Sequence, residues 1–156
     1  MIECRQMTIE LREDAFSLLR SFLCEDEYYL DSGATYGAGG ETALNKALEL
    51  FLQRPEFGFV WLAYDEGAPA GVCIVCLAIS TAIGGMVAKL DDVFVISSKQ
   101  GRGVGSALLQ ELKQELRDRG VLRIDTSVHL QNDRAQRFYR QQGFQQLNEE
   151  KLACVL

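Results

Sequence analysis

The chain has 156 residues, 47% of them hydrophobic and 24% charged, the balance of a globular protein with a real core. Its 22 acidic and 16 basic residues give a net charge of −6, which argues against nucleic acid as a partner and is compatible with a cationic substrate. No apolar run approaches the roughly 18 residues of a membrane span, and the polar start MIECRQMTIE lacks the apolar stretch of a signal peptide, so a cytoplasmic location with no membrane partner is expected.

The segment IECRQM reads as a first strand, and Thr8 as the N-cap of a helix with Leu11, Ala15, Leu18, Leu19 and Phe22 on its apolar face. Residues 31–40, DSGATYGAGG, carry four glycines and read as a loop. A second helix is expected from about Glu41 to Gln53, stopped by Pro55. FGFVWLAY, the turn DEGAP and AGVCIVCLAI form an antiparallel hairpin. MVAKLDDVFVI is a further strand. It runs into QGRGVGSALL, after which Val104, Leu108, Leu112 and Leu116 recur at helical spacing up to a C-terminal Gly120. VLRIDTSVHL is the next strand, NDRAQRFYRQQ a short helix capped by Asn132 and stopped by Gly143, and FQQLN and KLACVL candidate last strands. The expected fold class is α/β, a sandwich around a mixed, mostly antiparallel sheet, in the order βααβββαβαββ. No repeat or linker divides residues 1–156, which read as one domain.

The cysteines are Cys4, Cys24, Cys73, Cys76 and Cys154. An odd number without a secretory signal implies reduced thiols. Cys73 and Cys76 form a CxxC inside an apolar strand, where residues three apart face opposite sides. There is no second CxxC, and His129 is the one histidine. No metal site is expected, and the cysteines read as small core residues.

Gly101, Gly103 and Gly105 sit between a strand and a helix. The first amides of a helix lack partners within it, and its dipole is positive at that end. Glycines let an anion approach that backbone, so QGRGVG reads as a phosphate cradle with Arg102 at its edge. A tight turn alone is the competing explanation. The lysine of a Walker A loop and the G-x-G-x-x-G of a dinucleotide site are both absent.

The stretch resembles motif A of the GNAT superfamily of N-acetyltransferases, Q/R-x-x-G-x-G/A, through Gln100, Gly103 and Gly105. Residues 132–144 resemble the family's N-x-x-A-x-x-F-Y-x-x-x-G-F segment through Asn132, Ala135, Phe138, Tyr139, Gly143 and Phe144. The resemblance implies a GNAT-like sandwich and transfer of an acetyl group from acetyl-CoA, as co-substrate, to an amine. It places the CoA diphosphate on the amides of Gly101, Arg102, Gly103, Val104, Gly105 and Ser106. It pairs pantetheine with backbone near Phe94 and Val95, and brings Asn132 to the cofactor, with small Ala135 leaving room. It also implies two strands splayed apart between Val95 and Val128, and an oxyanion bound by an N–H near Phe94 or Val95. A local similarity to spermidine/spermine acetyltransferases runs through Lys89–Leu109, where KLDDVFV looks like LED-FFV.

Three chemical jobs follow from such a transfer: a neutral amine, an oxyanion donor and a proton for the leaving thiolate. Tyr139, one turn from Ala135 and matching the family's proton donor, is expected to protonate the thiolate. Asp91 and Asp92 are expected at the cleft, one of them taking the amine proton or attracting a cation; a solvated strand end is the alternative. His129 is a weaker candidate base. The acids Glu25, Asp26, Glu27 and Asp31 with Tyr28, Tyr29 and Tyr36 form either a cationic pocket or a solvated helix end. The acceptor is expected to be a small-molecule amine, with a protein or peptide amine, or CoA sensing without turnover, as alternatives. A homodimer through the apolar C-terminus is an expectation from the family.

Overall fold

The strand β2 (Gly58–Asp65) is buried at all eight positions, as a strand with no polar face must be. Phe59, Trp61 and Ala63 enter one hydrophobic cluster, while Val60, Leu62 and Tyr64 enter another on the opposite face of the sheet. This two-residue period makes β2 the septum of a two-sided core. The computed structural model describes residues 1–26, 28 and 39–156.

Around β2 the sheet runs β1-β2-β3-β4-β5 in chain order, with β1 (Ile2–Gln6), β3 (Ala68–Ser80), β4 (Gly85–Val95) and β5 (Ile124–Thr126). The first four strands pair antiparallel, and β5 joins β4 in parallel. A parallel neighbour needs a crossover, and the helix α3 (Val104–Asp118) supplies it. The helices α1 (Arg12–Glu25) and α2 (Gly40–Gln53) cover one face of the sheet; α3 and α4 (Asp133–Gln141) cover the other. Val104, Leu108, Leu112 and Leu116 are buried as their spacing requires. Cys73 and Cys76 fall on opposite faces of β3, and among the described residues no group of ligating side chains suits a metal ion.

Two irregularities reset the alternation. In β3 an extra residue at Ala70 lies opposite the Ala63/Tyr64 step. In β4 two residues, Asp92 and Val93, oppose the single Cys73. Leu90 faces the α3 side, and after the bulge it is Val93 and Val95 that do so, with Phe94 turned to α1. Asp92 takes φ 51, a left-handed conformation that Asp tolerates better than most residues.

The expected order is corrected in three places. The segments FQQLN and KLACVL form no strand: residues 142–156 carry none, and Leu147, Leu152, Val155 and Leu156 are exposed. Their apolar alternation is real, but a strand needs a partner edge, and neither segment is paired with one. The strand VLRIDTSVHL shrinks to Ile124–Thr126, because pairing with β4 stops at Leu90. Thr8 precedes a 3-10 turn, Ile9–Leu11, rather than α1 itself, and its hydroxyl serves the Glu10 carboxylate. Of the expected loop 31–40, residues 31–38 lie outside the described residues, as do the candidates Glu27, Tyr29, Asp31 and Tyr36, while Gly39 caps α2 and Gly40 begins it. Among the described residues no helix is long and apolar enough to cross a membrane.

Candidate active site

The parallel pairing of β4 with β5 is confined to Ala88, Lys89 and Leu90. Beyond them the two strands separate. Ile96 donates to the Ala70 carbonyl, so strand alternation turns the Val95 N–H to the other edge, toward the gap. The sequence therefore creates a notch in the sheet: a bulge on one wall and an early strand end on the other.

At the foot of the notch the chain turns through a 3-10 segment, Ser97–Lys99, and reaches the glycines. Lys99 Nζ lies 2.8 Å from the Asp65 carboxylate, which is 8% exposed, so the turn is anchored to the end of β2. That bond, aided by the charges of Lys99 and Arg102, holds the Asp65 carboxyl below its ordinary range. Gly101 and Gly103 have φ of 73 and 84, and a Cβ at either would meet nothing within 4 Å. Gly103 is the N-cap of α3, and no side chain caps that helix end. The amides of its first turn therefore open on free space, a fit for an anionic group. Gly105 does something else. Its Cβ would stand 3.4 Å from the Phe138 ring, so its bareness lets α4 pack against α3.

The other expected cofactor residues divide. Arg102 is exposed beside the glycines. Val104 is core, and Ala135 is half-buried on α4. Three side chains are engaged with the protein itself. Gln100 Nε2 donates to the Val95 carbonyl at 2.9 Å, and its Oε1 accepts from Arg134 at 3.0 Å. Ser106 Oγ accepts from Gln142 at 3.2 Å. Asn132 Oδ1 accepts from the Ala135 N–H at 3.1 Å, the N-cap of α4. Phe94 packs edge-on against Phe22, with ring centroids 6.0 Å apart, on the α1 side of the sheet.

Tyr139 is 9% exposed and flanked edge-on by Phe138 and Phe144. Its hydroxyl is hydrogen-bonded with that of Thr126 at the end of β5, and Thr126 donates to the Leu90 carbonyl at 2.9 Å. Burial pushes the phenol well above its ordinary range, and the nearby Asp91 and Asp92 push the same way. The phenol therefore keeps its proton throughout the neutral range.

Across the notch, the bulge gives the two aspartates different surroundings. Asp91 is 3.1 Å from Lys89 Nζ. The Asp92 carboxyl is pushed up to about 6, first by burial, then by Asp91, with Asp26 adding to the shift and Lys151 and Lys89 opposing it. Lys151 thus brings the C-terminal segment into the field of the notch, a proximity that no motif foretells. His129 accepts the Gln131 N–H at Nδ1, 3.2 Å away, and its ring lies 5.0 Å from that of Tyr28.

Comparison with known proteins identifies the family to which this sequence and fold are similar. The Acetyltransferase (GNAT) family matches residues 16–144. A mycothiol acetyltransferase of Beutenbergia cavernae is 35% identical over 85 residues, 54% of this chain and 28% of that protein. N-alpha-acetyltransferase 30 of Schizosaccharomyces pombe is 29% identical over 92 residues, 59% of each chain. The chain therefore spans less than two-thirds of the length of either relative. The solved structure of AAC(6')-Iy, in complex with the bisubstrate analog CoA-S-monomethyl-acetylneamine, superposes with a TM-score of 0.78 at 18% identity, covering 100% of this chain and 99% of that one; the likeness is one of fold. By the match of its sequence over most of its length, this chain belongs to the GNAT acetyltransferase family.

Proposed function

We propose that the protein is an N-acetyltransferase that moves an acetyl group from acetyl-CoA to a primary amine of a small molecule by direct attack. The observation that carries this is the uncapped, glycine-lined start of α3 opening beside a notch whose walls hold Tyr139 and Asp92. When bound, acetyl-CoA supplies an acyl group already activated as a thioester. The amides of Gly101, Arg102, Gly103, Val104, Gly105 and Ser106 hold its diphosphate, with Arg102 adding charge. The Val95 N–H donates to the acyl oxygen, where negative charge grows as the amine attacks. Asp92, with a carboxyl that titrates close to neutrality, accepts the proton of the incoming ammonium through a water. As the adduct collapses and the C–S bond breaks, Tyr139 would donate its phenolic proton to the departing sulfur, and the second proton, shed by the attacking nitrogen, would return to the phenolate. Asp91 is a second negative charge that favours a cationic acceptor.

The fold likeness to an aminoglycoside-type complex and the mycothiol acetyltransferase relative support a small-molecule acceptor. The N-alpha-acetyltransferase relative favours a protein or peptide N-terminus as the second reading. The test is release of CoA thiol from acetyl-CoA against polyamines, aminoglycosides, amino acids and short peptides. Turnover with a small amine is expected. Turnover confined to peptides moves the assignment to the second reading, and binding of CoA with no acceptor in any class removes the enzyme reading in favour of a sensor.

A further inference from the structure

The charges around the cradle are not equally answered. Lys99 is paired with Asp65, and the same carboxylate lies in the field of Arg102. Elsewhere in the chain, Arg5, Arg12, Arg20, Arg54, Lys89, Arg119 and Arg123 each sit beside a carboxylate. Arg134 does not. It stands exposed in the first turn of α4, and among the described residues no carboxylate lies within ion-pair reach of it. Lys46, Arg102, Lys113, Arg117, Arg137 and Arg140 share that condition; what singles out Arg134 is where it is held, against Gln100 at the edge of the cradle.

Nor is the side chain loose. Arg134 Nη1 donates to Gln100 Oε1 at 3.0 Å, and the Gln100 amide is itself held by the Val95 carbonyl at 2.9 Å. A neutral bracket thus fixes a guanidinium one residue from Gly101 without neutralising it. One N–H of the five is used, and the planar fork retains donors for a second acceptor. The same face is stitched twice more, by Phe138 against Gly105 and by Gln142 against Ser106, so α4 is joined to the cradle at three points. A positive group held without an anion beside amides without partners is a site awaiting a phosphate oxygen.

We propose that Arg134 is a phosphate ligand of the cofactor, held at the rim of the cradle by Gln100 so that it grips a CoA phosphate from the α4 side while the α3 amides grip from the other. Gln100 is then a positioning residue, and its side chain reaches the cofactor only through Arg134. The assignment rests on the reading of the cradle as a CoA site.

Calorimetric titration of the full chain with CoA and with 3′-dephospho-CoA tests it, using Arg134→Gln and Arg134→Lys after their melting temperatures have shown that both fold. Arg134→Gln should weaken CoA binding about tenfold at low salt, as expected for one lost charge-assisted bond. Arg134→Lys should recover part of the loss. The gap between wild type and Arg134→Gln should narrow between about 0.05 and 0.5 M NaCl, since salt screens an exposed charge pair. An equal loss with both ligands assigns the contact to the diphosphate; a loss that disappears with 3′-dephospho-CoA assigns it to the 3′-phosphate, and either supports the proposal. An Arg134→Gln variant within twofold of wild type overturns it. So does a loss that is independent of salt and not relieved by lysine, which would make Arg134 a brace for Gln100 alone. Failure of the wild type to bind CoA would instead remove the cradle reading itself.

Discussion

Replacing Tyr139 with Phe removes one oxygen and keeps the ring between Phe138 and Phe144. If the phenol protonates the leaving sulfur, kcat should fall at least about tenfold while the affinity for acetyl-CoA holds, the ordinary scale of a lost general acid. Unchanged turnover in steady-state kinetics removes Tyr139 from the mechanism. Asp92 allows a test of opposite sign in activity and stability. Its folded carboxyl titrates above the ordinary 3.8, at about 6, so folding favours the protonated form. The resulting penalty on the folded state is absent below about pH 4, grows as pH rises toward 6 and is constant above it. Asp92→Asn should therefore raise the melting temperature near pH 8 by several degrees, for a shift of two units is at most about 3 kcal/mol, and change little near pH 4. The same variant should lose the acidic limb of the rate profile. Equal melting temperatures at pH 8 would mean that Asp92 is solvated. Asn also suits the φ of 51 at this bulge, so the substitution adds no backbone strain.

At the scale of elements, the cradle and the helix contact behind it make separable predictions. Gly103→Glu forces a side chain into φ 84 and sets a carboxylate where a phosphate is expected. Like charges in contact are unfavourable by several kcal/mol, so CoA affinity should fall roughly a hundredfold or more by titration, with the fold retained. Undiminished affinity refutes the cradle. Gly105→Val acts on packing instead: its Cβ starts 3.4 Å from Phe138, and two further carbons must push α4 away. A loss of about 1–3 kcal/mol in unfolding free energy, read from urea denaturation, is expected, as for other overpacked contacts. The sequence made these elements readable in proportion to how local their causes are. The buried stripe of α3, the hairpin of β2 and β3, and the glycines announce themselves by period and spacing. The bulge at Asp92 does not, because it exists only relative to Cys73 on the neighbouring strand. For the same reason the length of β5 and the absence of strands after Gly143 were hidden: a strand depends on its partner edge, and apolar alternation in KLACVL says nothing about one. Site residues fared likewise. The expectation that Tyr139, Asp91 and Asp92 share one cleft comes from the family resemblance, because residue types and spacing alone also suit a core tyrosine and a solvated strand end. They could not show that the side chains of Gln100, Ser106 and Asn132 are committed to neighbouring protein groups, since this depends on where Arg134, Gln142 and the start of α4 come to lie.

For the whole molecule, the twelve residues after Phe144 form no regular structure and leave Leu147, Leu152 and Leu156 exposed. Ending the chain at Phe144 should change stability by less than about 1 kcal/mol, in keeping with surface changes that remove no packing. It should also raise the acidic limb of the pH–rate profile, because Lys151 is a charge that lowers the Asp92 carboxyl. A large loss in the denaturation midpoint, or an unmoved limb, would contradict this account of the tail. The two faces of β3 carry a further consequence. Cys24 and Cys154 are exposed, Cys4 and Cys76 half-buried, and Cys73 lies fully covered in the middle strand of the sheet, its thiol pushed well up by burial. An alkylating reagent should thus consume two sulfurs at once, two more as edges and helices breathe, and the last only when the central strand itself comes open. The chain carries its own clock for successive depths of unfolding, and a bound cofactor should slow only the hands that α3 and α4 control.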